Sequence, residues 1–507
     1  MEAEPRTTNL PFRKKESLAN RAGSRNLRRV NTIDDLPGPP RRPVVGNLLD
    51  LVRTRTPHRL LEGWADDHGL TFRFRPGGQR DVVVTADPVL VDLALRRRPD
   101  DFGRDTGMSA VINEIVPHGV FTAEGDRWRR LRKVATQSLN AAYLRQYFTT
   151  ITKVTERLLR RWEAAAAAGE RVDVLDSMMR YTLDVTSGLA MGHDLNSLES
   201  TGEGLHRRLP MLFPAFARRI NAPFPYWRRF KLPQDHRLDA TVREIEALVK
   251  ERFAHARARV AAGESPANFL EALVKPLENE PGITDEEVFG NVLTMLLAGE
   301  DTTSSTAAWA LHFLAEHPDI AAKVRAEADE VLGDQRVPGD PATIGRLRYA
   351  EAVVHEVLRL QPVAPMAGLQ NLRDMTVARS DGRELFLPAN TPIVVLTSYG
   401  ARRDTARFPD AGVFRPERWL DGRLPAEALP FAPFGSGPRF CPGRNLALIE
   451  AAMVTSVLGR RFDLAGDRTA GMVHERMSFA AYPVNLHLHV TARRDSRDSA
   501  NPGSAVR

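Results

Sequence analysis

Residues 284–316 read TDEEVFGNVLTMLLAGEDTTSSTAAWALHFLAE, and this segment sets the scale of the molecule. Thr284 followed three residues later by Glu287 is a capping-box signature. Apolar residues then recur at helical spacing until His317-Pro318 closes the run. At about 1.5 Å per residue such a helix is roughly 50 Å long, enough to cross a whole domain. The rest of the chain has to be organised around this spine.

The remainder of the 507 residues is read as mainly helical. Helical spacing of apolar residues also marks 144–168, 238–261 and 349–360. Strand signals are few and short. LTFRFRPGGQRDVVVTADP alternates and turns at Gly77-Gly78, which predicts a β-hairpin, and 385–397 and 483–492 are further extended regions. There is no internal repeat and no linker in the middle. The expectation is therefore a mainly α fold with small β-sheets, one domain over 36–492 built on a long central helix and entered through the proline-rich LPGPPRRPVVGN. The basic segment 1–35 and the tail 493–507 are expected to be disordered.

Composition narrows the function. Hydrophobic residues make up 42% and charged residues 27%, ordinary for a soluble protein with a large core. The first 30 residues contain no apolar run near the roughly 20 that a membrane span needs, and no signal-peptide core. Glu2 and Glu4 argue against a transit peptide. A soluble, cytoplasmic, monomeric protein without a transmembrane anchor is expected. The single cysteine, Cys441, excludes an internal disulfide. The net charge of +7 is spread along the chain and interleaved with acids, with no nucleic-acid-binding signature, so nucleic acid is not expected and an acidic protein partner is the better use of that charge.

Four constellations carry chemistry. Inside the spine, GEDTTSST at 299–306 places a glycine, acids and hydroxyls where a helix interior disfavours them. Two readings stand: threonine hydroxyls bonded back to i−4 carbonyls, or a local widening in which Gly299 lets a ligand approach while Asp301 and Thr302 hold water and pass protons. Glu356 and Arg359 lie at i and i+3 on one helix face, and Arg418, in FRPERW, could complete a buried acid and double-arginine cluster. Trp128 and Arg132, at i and i+4, point one way, with Arg129, Arg130 and Lys133 on the opposite face. The fourth is FGSGPRFCPG, 434–443. Cys441 is either a small buried hydrophobe or a thiolate ligand. Gly435 and Gly437 permit a tight turn, Gly443 permits close backbone approach, and an apolar helix follows whose N-terminus favours negative charge. One cysteine rules out multi-cysteine zinc and iron-sulfur sites and leaves haem as the cofactor a single protein sulfur can ligate.

With these residues in hand, the chain resembles the cytochrome P-450 family of haem-thiolate monooxygenases over 36–492. Phe434, Gly435, Gly437, Arg439, Cys441 and Gly443 complete the ligand-loop pattern. Ala298-Gly299 with Asp301-Thr302-Thr303, Glu356 with Arg359, Pro416-Glu417-Arg418, and Trp128 with Arg132 occur in family order. The resemblance implies haem b (iron protoporphyrin IX) with Cys441 as axial iron ligand. Trp128, Arg132 and Arg439 would meet its propionates, and Ala298, Phe434 and Gly443 would also contact the cofactor. Glu356, Arg359 and Arg418 would form a structural cluster, and Asp301 and Thr302 would relay protons on the distal side. That acid and alcohol pair favours O2-dependent monooxygenation. A peroxide-using haem-thiolate enzyme, or a non-catalytic haem sensor or carrier, is the alternative.

The resemblance further implies a bacterial-type soluble member with no fused reductase, since the chain runs only a short way past Cys441. Electrons would then come from a separate ferredoxin or flavoprotein docking near Arg129, Arg130 and Lys133. One departure stands out: relatives often carry a propionate-binding arginine after Pro362, where this chain has Leu369. Pocket walls are expected from 108–121, 213–227, 294–298, 363–368 and 478–482. These are mostly apolar, as suits a fatty acid, terpenoid, steroid or polyketide. The roof, MLFPAFARRINAPFPYWRRFK, mixes aromatics with arginines and reads as a mobile entrance or a membrane-facing surface.

Overall fold

The central helix, Asp285–Glu316, is capped as its sequence predicts: Thr284 N donates to Glu287 Oε2 at 2.9 Å, and Glu287 N to Thr284 Oγ1 at 3.3 Å. Every residue from 303 to 311 is buried, so this stretch is enclosed on all sides by other elements. The structure is a computed structural model that describes residues 30–493 apart from 78–79, 117–118, 201–207, 221, 223, 280–282, 421 and 423–430. Helices account for most of it, and the strands form four small sheets among the described residues.

Helix Val174–Met191 runs against the central helix, which also packs on helix Arg444–Arg461. The core between them is built from side chains such as Trp162, Tyr181, Leu311, Met453 and Val457. The other predicted helices are Ala141–Ala168, Pro233–Ala261 and Arg348–Leu360. Their limits follow local chemistry. Asn140 Oδ1 accepts from Ala142 N and Tyr143 N to start the first, and Gly169, at φ 65°, ends it in a left-handed turn.

The strands are β1 (Thr71–Phe74), β2 (Val82–Thr85), β3 (Phe102–Arg104), β4 (Arg171–Asp173), β5 (Ala367–Asn371) and β6 (Met375–Ala378). They continue with β7 (Glu384–Leu387), β8 (Pro392–Val395), β9 (Phe462–Asp467), β10 (His474–Met477), β11 (Ala481–Val484) and β12 (His487–Ala492). The predicted hairpin is β1–β2, extended into a five-stranded sheet of order β1-β2-β8-β5-β3. In its β3–β5 ladder Arg104 is the partner of Leu369. Residues 1–29 and 494–507, where disorder is expected, lie outside the described residues. Asn31, however, is tied to β7 through Asn31 N to Glu384 O at 3.0 Å and Phe386 N to Asn31 O at 2.8 Å, so pairing with the fold begins ahead of residue 36.

Candidate active site

The cysteine loop is shaped by its glycines. Gly435 and Gly437 take φ of 71° and 70°, which L side chains rarely adopt, and a Cβ on Gly437 would stand 2.7 Å from Arg96 Cα. The turn brings Cys441 N onto Phe434 O at 2.8 Å and leaves the thiol just ahead of helix Arg444–Arg461. Burial pushes the Cys441 thiol above its ordinary pKa, while hydrogen bonds from the backbone of Gly443 and Arg444 and the Arg132 charge pull it down. Those groups favour the thiolate. The room beside Gly443 faces the sulfur, since a Cβ there would lie 3.8 Å from Cys441 Sγ.

Ala298 and Thr302 of the central helix line the same cavity as Cys441. The helix is continuous through 299–306, and Thr302 Oγ1 donates to Ala298 O at 2.6 Å, as Thr306 Oγ1 does to Thr302 O at 2.8 Å. The threonine back-bonds of GEDTTSST are thus present and the helix is not widened there. A Cβ on Gly299 would come within 2.4 Å of Thr186 Cγ2, so packing against that helix requires the glycine, which also lines the cavity, and Thr182 Oγ1 donates to Glu300 O at 3.1 Å. Asp301 lies behind the cavity wall, with its Oδ2 buried and without a hydrogen-bond partner, as is Glu300 Oε2. Burial pushes Asp301 up to about 7 and, with Asp301 beside it, lifts Glu300 well above the usual carboxylate range.

One edge of the cavity is lined by four guanidiniums. Arg439 stacks 4.5 Å over Trp128, donates to Ala123 O at 2.6 Å and pairs with Glu124. Arg132 Nη2 donates to Phe440 O at 2.7 Å, which ties its helix, Gly125–Ser138, to the cysteine loop. Sequence reasoning missed the other two. Arg104 N donates to Glu124 Oε1 at 2.9 Å and its guanidinium lies 3.8 Å over Phe121. Arg98 is buried with Nε and Nη2 lacking any hydrogen bond, its nearest acid being Glu124 at 4.0 Å. Burial, reinforced by neighbouring arginines, pushes Arg104 down to about 9 and Arg439 to about 10. Several cations around one carboxylate call for further anionic groups at this edge.

Behind the cysteine loop, Glu356 Oε1 and Oε2 accept from Arg359 at 2.7 and 2.9 Å, and Oε1 also takes Arg418 Nε at 3.0 Å. Trp419 Nε1 adds a bond to Oε2 at 2.9 Å. Arg359 spends its remaining donors on the carbonyls of Ala401, Ala411 and Val413 at 2.6–3.1 Å. All three charged side chains are nearly or fully buried.

Comparison with known proteins decides what this arrangement is. The family model described as Cytochrome P450 matches residues 36–488. The chain belongs to the cytochrome P450 family. It is 27% identical, over 90% of its length, to a protein of Phanerodontia chrysosporium named "Self-sufficient cytochrome P450 monooxygenase CYP505E3", and 26% identical over 92% to one of the same name from Aspergillus terreus. It covers 43% and 44% of those two proteins, so it spans less than half of their length. A "Putative cytochrome P450 CYP13A4" of Caenorhabditis elegans is 26% identical, matched over 90% of this chain and 94% of its own.

Cytochromes P450 bind haem b, and the residues present fit it. Cys441 offers a sulfur at a helix N-terminus. The space between it and Thr302 is lined mostly by apolar side chains, and the arginine edge, with buried unmatched donors at Arg98 and at Arg439 Nε, suits two propionates. The cavity of this cytochrome P450 measures about 1490 Å³, and all five predicted wall segments contribute to it, through residues such as Met108, Phe213, Met295, Val363 and Phe479. Phe479 stacks on Phe213 at 5.2 Å between ring centres and meets Phe121 edge-on at 5.7 Å. Glu450, unremarked in the sequence, also lines the cavity. It is buried with Oε2 unbonded, and burial lifts it well above the usual range. Among the described residues no helix is long and apolar enough to cross a membrane.

Proposed function

We propose that this chain is the haem-thiolate unit of an O2-dependent monooxygenase that inserts one oxygen atom into a hydrophobic small molecule. The supporting observation is that Cys441 and Thr302 line one mostly apolar cavity with an arginine edge. Bound haem supplies the activation of O2. The remaining work belongs to the polypeptide.

In this reading Cys441 ligates the iron, its charge favoured by the Gly443 and Arg444 backbone and by Arg132. Arg98, Arg104, Arg132 and Arg439, with Trp128, hold the propionates, and Ala298, Phe434 and Gly443 line the space for the ring. Thr302 turns its hydroxyl from the Ala298 carbonyl to hand on a proton. Asp301, with a pKa lifted to about 7, is partly protonated near neutrality and replenishes it. A passive carrier has no use for such a pair.

Electrons arrive from a ferredoxin or flavoprotein. The matched fungal proteins are named self-sufficient, so the donor is either a separate protein or part of the same polypeptide. Of the cations proposed to receive it, Arg129 is engaged by Asp100 and Asp126 at 2.6 Å each, and Arg130 and Lys133 are exposed on the same helix. The test is spectroscopic. The reduced, carbon-monoxide-bound protein should show the red-shifted thiolate Soret band, and Cys441→Ser should abolish it. A band that survives in the variant removes the ligand assignment.

A further inference from the structure

The roof helix, Leu212–Ile220, carries two arginines in succession, and both line the cavity. Arg218 Nη2 and Arg219 Nη2 donate to the same atom, Asp235 Oδ1, at 2.9 and 3.1 Å. Arg218 Nε is taken by the Tyr226 hydroxyl at 2.9 Å, while Arg219 Nε is buried with no partner. Arg219 is only 4% exposed and lies 5.1 Å over the Trp227 ring.

No other described acid relieves this pair. Asp235 Oδ2 is already committed to Leu232 N at 3.1 Å, and Glu114 is occupied by Trp227 Nε1 and Arg228. Burial acts to raise Asp235, yet the Leu232 N–H and the two arginines hold it below its ordinary value, so it carries one full negative charge. Two guanidiniums sharing one carboxylate leave the roof with an excess positive charge, open to water at Arg218, whose side chain is 29% exposed, and with a spare buried donor at Arg219 Nε. Around them stand Phe213, Phe216 and Trp227. Keeping a guanidinium this far from water is costly unless a counter-charge arrives. A wholly apolar substrate supplies none.

We propose that the roof is an anion subsite: the substrate is an amphiphile whose carboxylate pairs with Arg218 and Arg219, its apolar body lying along the aromatic wall toward Thr302. Guanidinium groups suit this task because their planar donors match carboxylate geometry. The inference deepens the monooxygenase reading and rests on it for the fate of the bound molecule. Binding at the roof is measurable without turnover.

The experiment titrates the haem-loaded protein with saturated carboxylic acids of twelve to sixteen carbons and with the matching primary alcohols. Binding is followed by calorimetry and by the low-spin to high-spin Soret shift. The acid should bind about tenfold or more tighter than its alcohol at low ionic strength. In the Arg218→Gln/Arg219→Gln double variant that ratio should collapse toward one, and Arg219→Lys should keep part of it. Equal affinity for acid and alcohol in the wild type, an unchanged ratio in the double variant, or no binding of any acid overturns the proposal. The carbon-monoxide spectrum of each sample reports separately on the haem-thiolate assignment and on whether the variant retains its fold.

Discussion

Arg104 and Leu369 face one another across the antiparallel β3–β5 ladder. The strand on which the resemblance leads one to expect an arginine holds Leu369 and is thus backed by a neighbour that has one, at a cavity edge it shares with Arg98 and Arg439. Arg104→Leu should speed haem loss to an acceptor protein by about tenfold, the scale of one charge-assisted hydrogen bond. Adding Leu369→Arg should recover part of that retention. If Arg104→Leu holds haem as firmly as wild type, Arg104 is no propionate contact.

The Thr302 hydroxyl rests on the Ala298 carbonyl at 2.6 Å and has to leave it to act. Thr302→Ala should bind substrate with little change yet divert most reducing equivalents to hydrogen peroxide, whereas Thr302→Ser should stay coupled. The ratio of product formed to electron donor consumed decides between a relay and a purely structural hydroxyl.

Gly299 is pressed against Thr186 on the neighbouring helix, so a methyl group there collides at 2.4 Å. Gly299→Ala should cost about 1–3 kcal/mol, the range for overpacking a tight interface. The paired change Gly299→Ala/Thr186→Ser should restore most of it. Denaturant midpoints of the three variants measure this directly.

Glu300 and Asp301 enter the fold with pKa values raised by burial. Above about 4 the folded state therefore holds more protons than the unfolded one, at Asp301 up to about 7. The stability they contribute is complete at acid pH and is lost as pH rises, for Asp301 through about 7. Wild type should lose more thermal stability between pH 5.5 and 8 than the Glu300→Gln/Asp301→Asn variant. Parallel pH profiles would show that both acids stay ionised in the fold.

Features that local chemistry dictates could be read before the fold was known. The central helix announces itself through Thr284, Glu287 and Pro318, and the cysteine turn through Gly435 and Gly437, whose positive φ values are what the glycines allow. Glu356, Arg359 and Arg418 could be grouped because helix spacing fixes the first two and the third follows in a recognisable motif. What stayed hidden depends on distant partners. Arg98 and Arg104 sit in a loop and a three-residue strand with no periodicity to mark them, and become neighbours of Arg439 only through the fold. The packing demand on Gly299 stayed hidden because the atom that imposes it, Thr186 Cγ2, belongs to another helix. The doubled arginine of the roof was visible, but its shared carboxylate was not.

The clamp of Glu356, Arg359 and Arg418 closes on main-chain carbonyls and Trp419 using only groups of the polypeptide. None of its bonds waits for a cofactor. The order of assembly follows: the platform behind the cysteine can be set during folding, and haem enters a socket whose back wall already stands. Extraction of the cofactor should then leave this back wall standing for reloading, because its bonds lie within the polypeptide.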